Sequence, residues 1–423
     1  MVIKTLHAKN FRLLEDTTVT FHPKFTLIAG ANGKGKTTLL EALRIMLGAL
    51  FLKFDKEKDK LASPSMLRDD VRLSNMEPQY PVELTATAEI PEVPAHKSKS
   101  KSKSEIKWTR TLETKGGRTT SKEAKEMQQV SEDLQAAVRR GHETTVIPLV
   151  AYFSTDRFKK EKRDVGVEAA GSRLRGYYNA LDAWTNTNFF LNTWYTETLS
   201  ALQNGELSTE MLQAVETAIK NTVTNCSRVY FDIRYKELLI VRESDGNKIP
   251  FHMLSDGLRC TLAMVMEIAM RCALLNPALG KDAPLKTPGV VVIDEIDLHL
   301  HPEWQLRIID DLCRAFPQMQ FIATTHAPIV IGSLHNGKIL SIDRGEVHEF
   351  PLQYGRDANY ILREMNSSEM QKAIKDKIQK YHSLIEQSQG RSPEALELRT
   401  ALEEILGAGH PEIQQADLLL SLY

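Results

Sequence analysis

Residues 25–47 read FTLIAGANGKGKTTLLEALRIML. Residues 25–29 are apolar and β-rich, so they predict a buried strand that leads into Gly30. Residues 36–53 predict a helix, because their apolar positions form a wide stripe. A buried strand, a glycine-rich loop and a helix in this order predict an α/β core with a phosphate-binding loop between the strand and the helix.

The loop matches the pattern G-x-x-x-x-G-K-[ST] from Gly30 to Thr37. Its glycines let backbone N–H groups point inward around phosphate oxygens, and the helix N-terminus adds its positive dipole. We expect Lys36 to reach the β- and γ-phosphates of ATP and Thr37 to hold Mg²⁺. The predicted nucleotide-binding residues of this loop are Gly30, Asn32, Gly33, Gly35, Lys36, Thr37 and Thr38.

A second buried strand is predicted over residues 290–297, VVVIDEID, and it ends in acidic residues. Ligand sites of α/β proteins lie at the carboxyl ends of such strands. We expect Asp294 to bind Mg²⁺ through water and Glu295 to polarise the attacking water as a catalytic residue. The alternative is a strand that simply ends in solvated acids, and the phosphate-binding loop argues against it.

Two further segments are informative through their order along the chain. His326 ends a buried strand, residues 321–326, and is the second predicted catalytic residue, in hydrogen-bond reach of the γ-phosphate; the alternative is a structural histidine. The segment Leu254–Gly257 opens a long helix. Alone it reads equally well as an ordinary turn and helix N-cap.

The composition argues against a polycationic or membrane-spanning protein. Of 423 residues, 42% are hydrophobic and 26% charged, and the net charge is −1, so any contact with nucleic acid must come from a local patch. No apolar run approaches the ~20 residues of a membrane span, and the N-terminus lacks a signal-peptide core. The four cysteines fit neither a zinc site nor a disulfide framework, so we expect reduced thiols in a cytoplasmic protein.

The hydrophobic pattern predicts a two-lobed head and a tail. One lobe consists of residues 1–95 and 289–356, and a helical lobe spans about residues 120–288. Residues 357–423 predict a helical tail that serves self-association or partner docking, unless its helices simply cap their own core. Lysine and serine alternate over residues 97–103, which predicts a solvated loop or, alternatively, a contact with a DNA backbone.

The chain resembles the ABC/SMC/Rad50/OLD group of P-loop ATPases in the order of four motifs. They are the phosphate loop, Ser255-x-Gly257, Asp294-Glu295 and His326. Three further segments narrow the resemblance to PtuA, the ATPase subunit of Septu-type and retron-associated antiphage systems. They are VIPLVAYFSTDRF (146–158), SRLRGYYNALDAWTNTNFFLNTWY (172–195) and GRDANYILREM (355–365). The helix predicted at 122–140 has only about five turns, so the long coiled-coil arms of SMC proteins are absent.

The resemblance implies that Ser255 and Gly257 bind the γ-phosphate of ATP held by a second copy of the chain. A homodimer is then the minimum unit, with a higher oligomer expected, and His299 lies where a dimer-contacting loop is expected. The resemblance also implies a separate HNH nuclease subunit, PtuB, and in keeping with this no nuclease motif stands in the sequence. The sequence departs from the family in lacking a clear Q-loop glutamine. Ser154, Thr155 and Asp156 follow the strand that ends at Phe153, where this glutamine is expected. Arg157 is then a candidate for its role.

Two alternative functions remain open at this stage. One is a RecF/Rad50-like DNA repair ATPase, for which DNA is the direct partner. The other is a nucleotide-sensing scaffold that holds a toxin until a phage trigger arrives and hardly hydrolyses ATP.

Overall fold

The computed structural model describes residues 1–31, 33–55, 61, 63–90, 105–157, 171–182, 187–223, 225–365, 372–387, 389–407 and 411–422. Asn32 and the Lys/Ser segment 97–103 lie outside the described residues. The chain divides into two compact units, Met1–Arg356 and Asp357–Tyr423.

The described strands are β1 (Val2–Phe11), β2 (Leu14–Thr20), β3 (Phe25–Ala29), β4 (Leu73–Ser74), β5 (Glu77–Pro78), β6 (Val82–Glu89), β7 (Glu105–Leu112), β8 (Leu149–Phe153), β9 (Cys226–Asp232), β10 (Glu237–Arg242), β11 (Lys248–Pro250), β12 (Gly289–Ile293), β13 (Met319–Thr325), β14 (Lys338–Asp343) and β15 (Glu346–Phe350). The α-helices are α1 (Lys36–Leu47), α2 (Lys125–Arg139), α3 (Thr187–Gln203), α4 (Glu210–Thr222), α5 (Asp256–Leu275), α6 (Ala283–Lys286), α7 (Pro302–Gln305), α8 (Ile308–Ala315), α9 (Pro328–Ser333), α10 (Ala358–Glu364), α11 (Lys372–Glu386), α12 (Pro393–Leu406) and α13 (Pro411–Leu422).

A six-stranded sheet in the order β15-β14-β3-β13-β12-β8 forms the centre of the first unit. Every residue of β3, β8, β12 and β13 is buried, as expected for parallel strands that are covered on both faces. The parallel register sets Ile293 beside both Phe153 and Ala323, and it sets Thr325 beside Ala29. The carboxyl ends of these four strands therefore meet at one edge of the sheet, where the loops begin that carry Gly30, Ser154, Asp294 and His326.

The helix α1 follows the phosphate loop and packs against β12 on one side and against β1 and β6 of a second sheet on the other. That sheet is antiparallel, in the order β2-β1-β6-β7. At the C-terminal end of α1, Trp108 Nε1 donates to the Met46 carbonyl and Arg110 Nη1 donates to the Ile45 carbonyl, both at 3.0 Å. These side chains satisfy carbonyl groups that the end of a helix leaves without a partner.

The predicted boundary of the helical lobe is wrong for β8. The sequence placed residues 149–153 in the lobe of about 120–288, but β8 pairs in parallel with β12 and is the edge strand of the central sheet. The reason is that a short, wholly apolar strand is buried only when it joins a covered sheet, and such pairing partners are remote in sequence.

The remainder of the first unit includes α3, α4, α5 and the small sheet β11-β10-β9. The helix α5 is apolar on most of its circumference and packs against α4 and the turn at Arg173–Tyr177. Its buried Arg271 forms an ion pair with Glu267 at 2.8 Å and donates to the carbonyls of Gly176 and Tyr178.

The second unit consists of α10 to α13. Its core contains Ile378, Tyr381, Ile385, Ala395, Leu402, Ile413 and Ala416. An Arg399 guanidinium contacts both Glu403 and Asp417 and so ties α12 to α13. The helices α11, α12 and α13 therefore share an apolar core of their own.

Within the described part of the chain, no helix combines the length and the apolar character needed to cross a membrane. The longest helix among the described residues, α5, has 20 residues, so the described part contains no long coiled-coil arm. All four cysteines are free thiols, with Cys226, Cys260 and Cys272 buried.

Candidate nucleotide-binding site

The phosphate loop leaves β3 and turns sharply at Gly30. The residue has a φ of +152°, and a Cβ atom there would lie 2.9 Å from the Ile342 carbonyl oxygen, so only glycine fits. The loop ends at Gly35, the N-cap of α1, which has no side chain to cap the helix. The first backbone N–H groups of α1 therefore remain available to an anion.

Lys36 lies at the inner side of this loop and is only 5% exposed. Its ammonium group donates to the carbonyl oxygens of Gly30 at 2.7 Å and Ala31 at 3.0 Å. Burial lowers the pKa of Lys36, while the nearby carboxylates of Asp294, Glu295 and Asp297 act in the opposite direction. The cation is thus held between the loop and a group of acids.

Asp294 follows β12 and is 2% exposed. One carboxylate oxygen accepts from Thr37 Oγ1 at 3.0 Å, and the other accepts from Thr324 Oγ1 at 2.5 Å. A hydroxyl and a carboxylate side by side are the oxygen ligands that Mg²⁺ prefers, together with water and substrate phosphates. The described residues contain no cluster of three or more His, Cys, Asp and Glu side chains that could hold a metal ion.

Glu295 and His326 face each other across the site. Their Oε1 and Nε2 atoms are 3.4 Å apart, and both side chains are about one-third exposed or less, at 32% and 28%. The other ring nitrogen of His326, Nδ1, lies 3.2 Å from Lys36 Nζ and 3.1 Å from the Gly30 carbonyl oxygen. The histidine therefore connects the phosphate loop to the acid.

The backbone of Glu295 has a left-handed conformation, with a φ of +48°. For a residue other than glycine such a conformation costs about 1–3 kcal/mol and persists only when the surroundings enforce it. Here the Glu295 N–H donates to Thr324 Oγ1 at 2.7 Å, and its carbonyl accepts from Arg157 Nη2 at 2.8 Å. The two hydrogen bonds fix the peptide groups on both sides of Glu295.

Sequence reasoning did not assign a role to Thr324, although its hydroxyl bonds to both Asp294 and Glu295. The only signal was its place in the Thr-Thr pair before His326. The parallel register of β12 and β13 brings this hydroxyl beside the acids.

Ser255 and Gly257 are in a different environment from the residues above. Ser255 is the exposed N-cap of α5, and its side chain makes no capping hydrogen bond. A Cβ atom on Gly257 would lie 2.3 Å from the carbonyl oxygen of His299, so the start of α5 packs tightly on the loop that follows Glu295. Among the described hydrogen bonds none joins Ser255 to the phosphate loop, while the exposed His299 has a φ of +62°.

The structure therefore brings Gly30, Lys36, Thr37, Asp294, Glu295 and His326 into one site. Gly33, Gly35 and Thr38 belong to the same loop and helix start, and Asn32 lies outside the described residues. The roles of all these residues toward a nucleotide stay predictions.

The fold and this site define the class: an ABC-type P-loop ATPase head, as the sequence predicted. The chain belongs to a family described as "AAA domain", whose model matches residues 5–222. A second model, described as "AAA domain, putative AbiEii toxin, Type IV TA system", matches residues 150–332.

Comparison with individual proteins agrees with the predicted resemblance to PtuA-like ATPases. The chain is similar to the Retron Vc95 probable ATPase of Vibrio cholerae serotype O1 biovar El Tor, with 26% identity over 86% of this chain and 79% of the relative. It is also similar to the Septu protein PtuA of Bacillus mycoides, with 27% identity over 49% of this chain and 26% of that protein. The chain thus spans most of the first relative but only about a quarter of the second.

The fold is also similar to a solved structure, an SMC head bound to the C-terminal winged-helix domain of ScpA. The TM-score is 0.51 at 17% identity, and the match covers 84% of this chain and 98% of the SMC head. The likeness concerns the fold alone.

Proposed function

We propose that this chain binds and hydrolyses ATP as the ATPase subunit of a bacterial antiphage defence complex, and that its ATP state and self-assembly control a separate HNH nuclease. The observation that carries the ATPase part is the convergence of Lys36, Thr37, Asp294, Glu295 and His326 at one edge of the central sheet. The defence part is supported by the Septu and retron relatives.

In this proposal each residue acts on the nucleotide through a contact that its position allows. Lys36 exchanges its bonds to the loop carbonyls for bonds to the β- and γ-phosphates, which are stronger acceptors because they are charged. Thr37 and Asp294 hold Mg²⁺, which neutralises phosphate charge when it is bound. Glu295 accepts a proton from the attacking water, and His326 holds that water and the γ-phosphate in line.

The proposal assigns Ser255 and Gly257 to the nucleotide of a second copy. This assignment is supported by the exposure of the Ser255 side chain at the N-terminus of α5, a 20-residue helix, because helix N-termini attract anions. ATP is then enclosed only between two copies, and hydrolysis requires a dimer.

The shared site predicts complementation between two inactive variants, Lys36→Ala and Ser255→Arg. Each variant alone should not hydrolyse ATP, because every site then lacks one essential group. After equal mixing and exchange of subunits, half of the dimers carry one intact site of two, so about one quarter of the wild-type rate should return. The measurement is steady-state phosphate release.

The matched control for this mixing experiment is Ser244→Arg, which places the same bulk at an exposed serine in the turn between β10 and β11. It should hydrolyse ATP normally. If proven mixed dimers recover no activity, the shared site is wrong.

The partner part of the proposal is tested by coexpression with an HNH nuclease gene adjacent to this gene. We expect a stable complex whose nuclease activity differs between the ATP-bound and the nucleotide-free state.

Truncation after Arg356 removes the whole second unit. We expect the truncated chain to bind nucleotide but to lose the nuclease or to form smaller oligomers. Native mass measurement and co-purification decide between these results, and a truncated chain with full assembly and bound nuclease would show that the second unit has neither role.

A further inference from the structure

The Arg157 side chain bonds directly to the backbone of both Asp294 and Glu295. It is 5% exposed and lies four residues after the end of β8. Its Nη1 atom donates to the carbonyl of Asp294 at 2.6 Å and to that of Ser154 at 2.8 Å, and its Nη2 atom donates to the carbonyl of Glu295 at 2.8 Å. One guanidinium group thus joins the end of β8 to the end of β12.

The planar guanidinium group is suited to this position because its donors form a rigid fork. A lysine ammonium is a compact point charge and cannot hold three carbonyl groups in the same arrangement. Burial of a cation is unfavourable, and here it is offset by the three carbonyls and by the nearby charges of Asp294, Glu295 and Asp297.

The hydrogen bond from Arg157 helps to hold the left-handed backbone of Glu295. The carbonyl of Glu295 accepts from Arg157 and from the N–H of Leu298 at 3.0 Å, while its own N–H is bound by Thr324. Without Arg157 this peptide keeps the bond from Leu298 to its carbonyl and the bond from the Ile296 N–H to the Thr324 carbonyl at 2.9 Å, but it loses the charged donor that ties it to the end of β8. The left-handed conformation is then less strongly enforced, and the chain can relax toward an ordinary conformation. The Glu295 carboxylate would then turn away from His326.

The position of Arg157 also connects the acids to α5. Cys260, which lies on α5 five residues after Ser255, is near Arg157, and its thiol is neutral because burial raises its pKa to about 11. On the other side, Gly257 of α5 packs on the His299 carbonyl. The loop that carries Glu295 is therefore enclosed between Arg157 and the start of the helix that carries Ser255.

We propose that Arg157 is the positioning residue of this site: it holds the Asp294 and Glu295 carbonyls so that Glu295 keeps its left-handed backbone and faces His326. The inference rests on the proposed function. It adds a means by which the end of β8, which is followed by Ser154, Thr155 and Asp156 in place of a Q-loop glutamine, controls hydrolysis. Arg157 acts through Glu295 and does not touch the nucleotide.

The test compares Arg157→Lys with Arg173→Lys. Arg173 is a matched control because it also binds backbone carbonyls, those of Leu275 and Glu143, but away from the acids. Arg157→Lys should lower the single-turnover rate of ATP hydrolysis by about 10- to 100-fold, because a small displacement of the reacting group has that effect, and should change ATP affinity by less than about threefold. Arg173→Lys should leave both quantities close to those of the wild type.

A double-mutant cycle with Glu295→Gln separates positioning from general destabilisation. If Arg157 acts through the Glu295 carboxylate, Arg157→Lys should lower the residual rate of Glu295→Gln by less than about twofold. A full additional loss in that background would overturn the inference, as would equal losses in rate for Arg157→Lys and Arg173→Lys.

Hydrogen exchange of the nucleotide-free protein gives a readout that does not depend on activity. Arg157→Lys should accelerate exchange of the amides of residues 295–298 by about tenfold or more, and Arg173→Lys should not. If the lysine variant does not fold, Arg157→Gln serves for the same comparison. Unchanged exchange at these amides would overturn the inference about Arg157. A wild-type chain that does not hydrolyse ATP would instead overturn the proposed function, and the exchange test would remain valid.

Discussion

Replacing Lys36 by alanine should abolish ATP binding at concentrations where the wild type is saturated. Its ammonium group is the cation that faces the loop interior, and the two carbonyls it now binds mark where phosphate oxygens would compete for it. Loss of two charge-assisted hydrogen bonds, at about 1.5–3 kcal/mol each, corresponds to a decrease in affinity of roughly 10²- to 10⁴-fold. Titration with a fluorescent ATP analogue measures the effect.

Lys34→Ala is the matched control for Lys36→Ala. Lys34 belongs to the same loop, but its ammonium group pairs with Asp343 at 2.6 Å. Its loss should change ATP affinity by no more than a few-fold, because exposed ion pairs contribute about 0–1 kcal/mol. A folded Lys36→Ala variant with wild-type affinity would contradict the site.

Glu295→Gln should bind ATP with normal affinity and hydrolyse it about 10²- to 10⁴-fold more slowly, the usual contribution of general base catalysis. The amide has the shape of the carboxylate and can still contact His326, 3.4 Å away, but it cannot accept a proton from water. The bound ATP should then persist, so that the dimeric form accumulates. Single-turnover phosphate release and native mass measurement report the two effects.

Glu303→Gln makes the same chemical change at an exposed glutamate of α7, outside the site, and should retain the wild-type rate. Turnover of Glu295→Gln within about threefold of the wild type would show that another group is the base. If the wild type itself binds ATP without turnover, the chain acts as a nucleotide-sensing scaffold, and control of the nuclease must then depend on binding alone.

The α/β core and its phosphate loop could be predicted from the sequence because their signals are local, and the ABC-type class followed from the resemblance of the ordered motifs to that group of ATPases. Buried strands are short apolar runs, and acids or glycines that directly follow them lie at a sheet edge. Residues 25–37 and 290–295 each contain strand and functional group within a few positions, so no long-range contact had to be known. The order of these segments then indicated a common site.

The lobe boundary and the supporting residues could not be predicted in this way. The sequence assigned β8 to the helical lobe, whereas its pairing partner β12 lies well over a hundred residues further along the chain. Thr324 bonds to Asp294 and Glu295 from β13, and Arg157 bonds to them from the turn after β8; neither stands in a pattern that specifies this partner.

By itself, then, the sequence determined the phosphate loop and the Asp294-Glu295 pair, because each follows from residues that are neighbours in the chain, and the order of the motifs indicated the class of protein. Only the tertiary structure decided which strands lie side by side, how Thr37, Asp294 and Thr324 meet, and why Glu295 has a left-handed backbone. The physical reason is that strand register and buried hydrogen bonds depend on which remote segments share the core, and that choice is made by the packing of the whole sheet rather than by any local pattern.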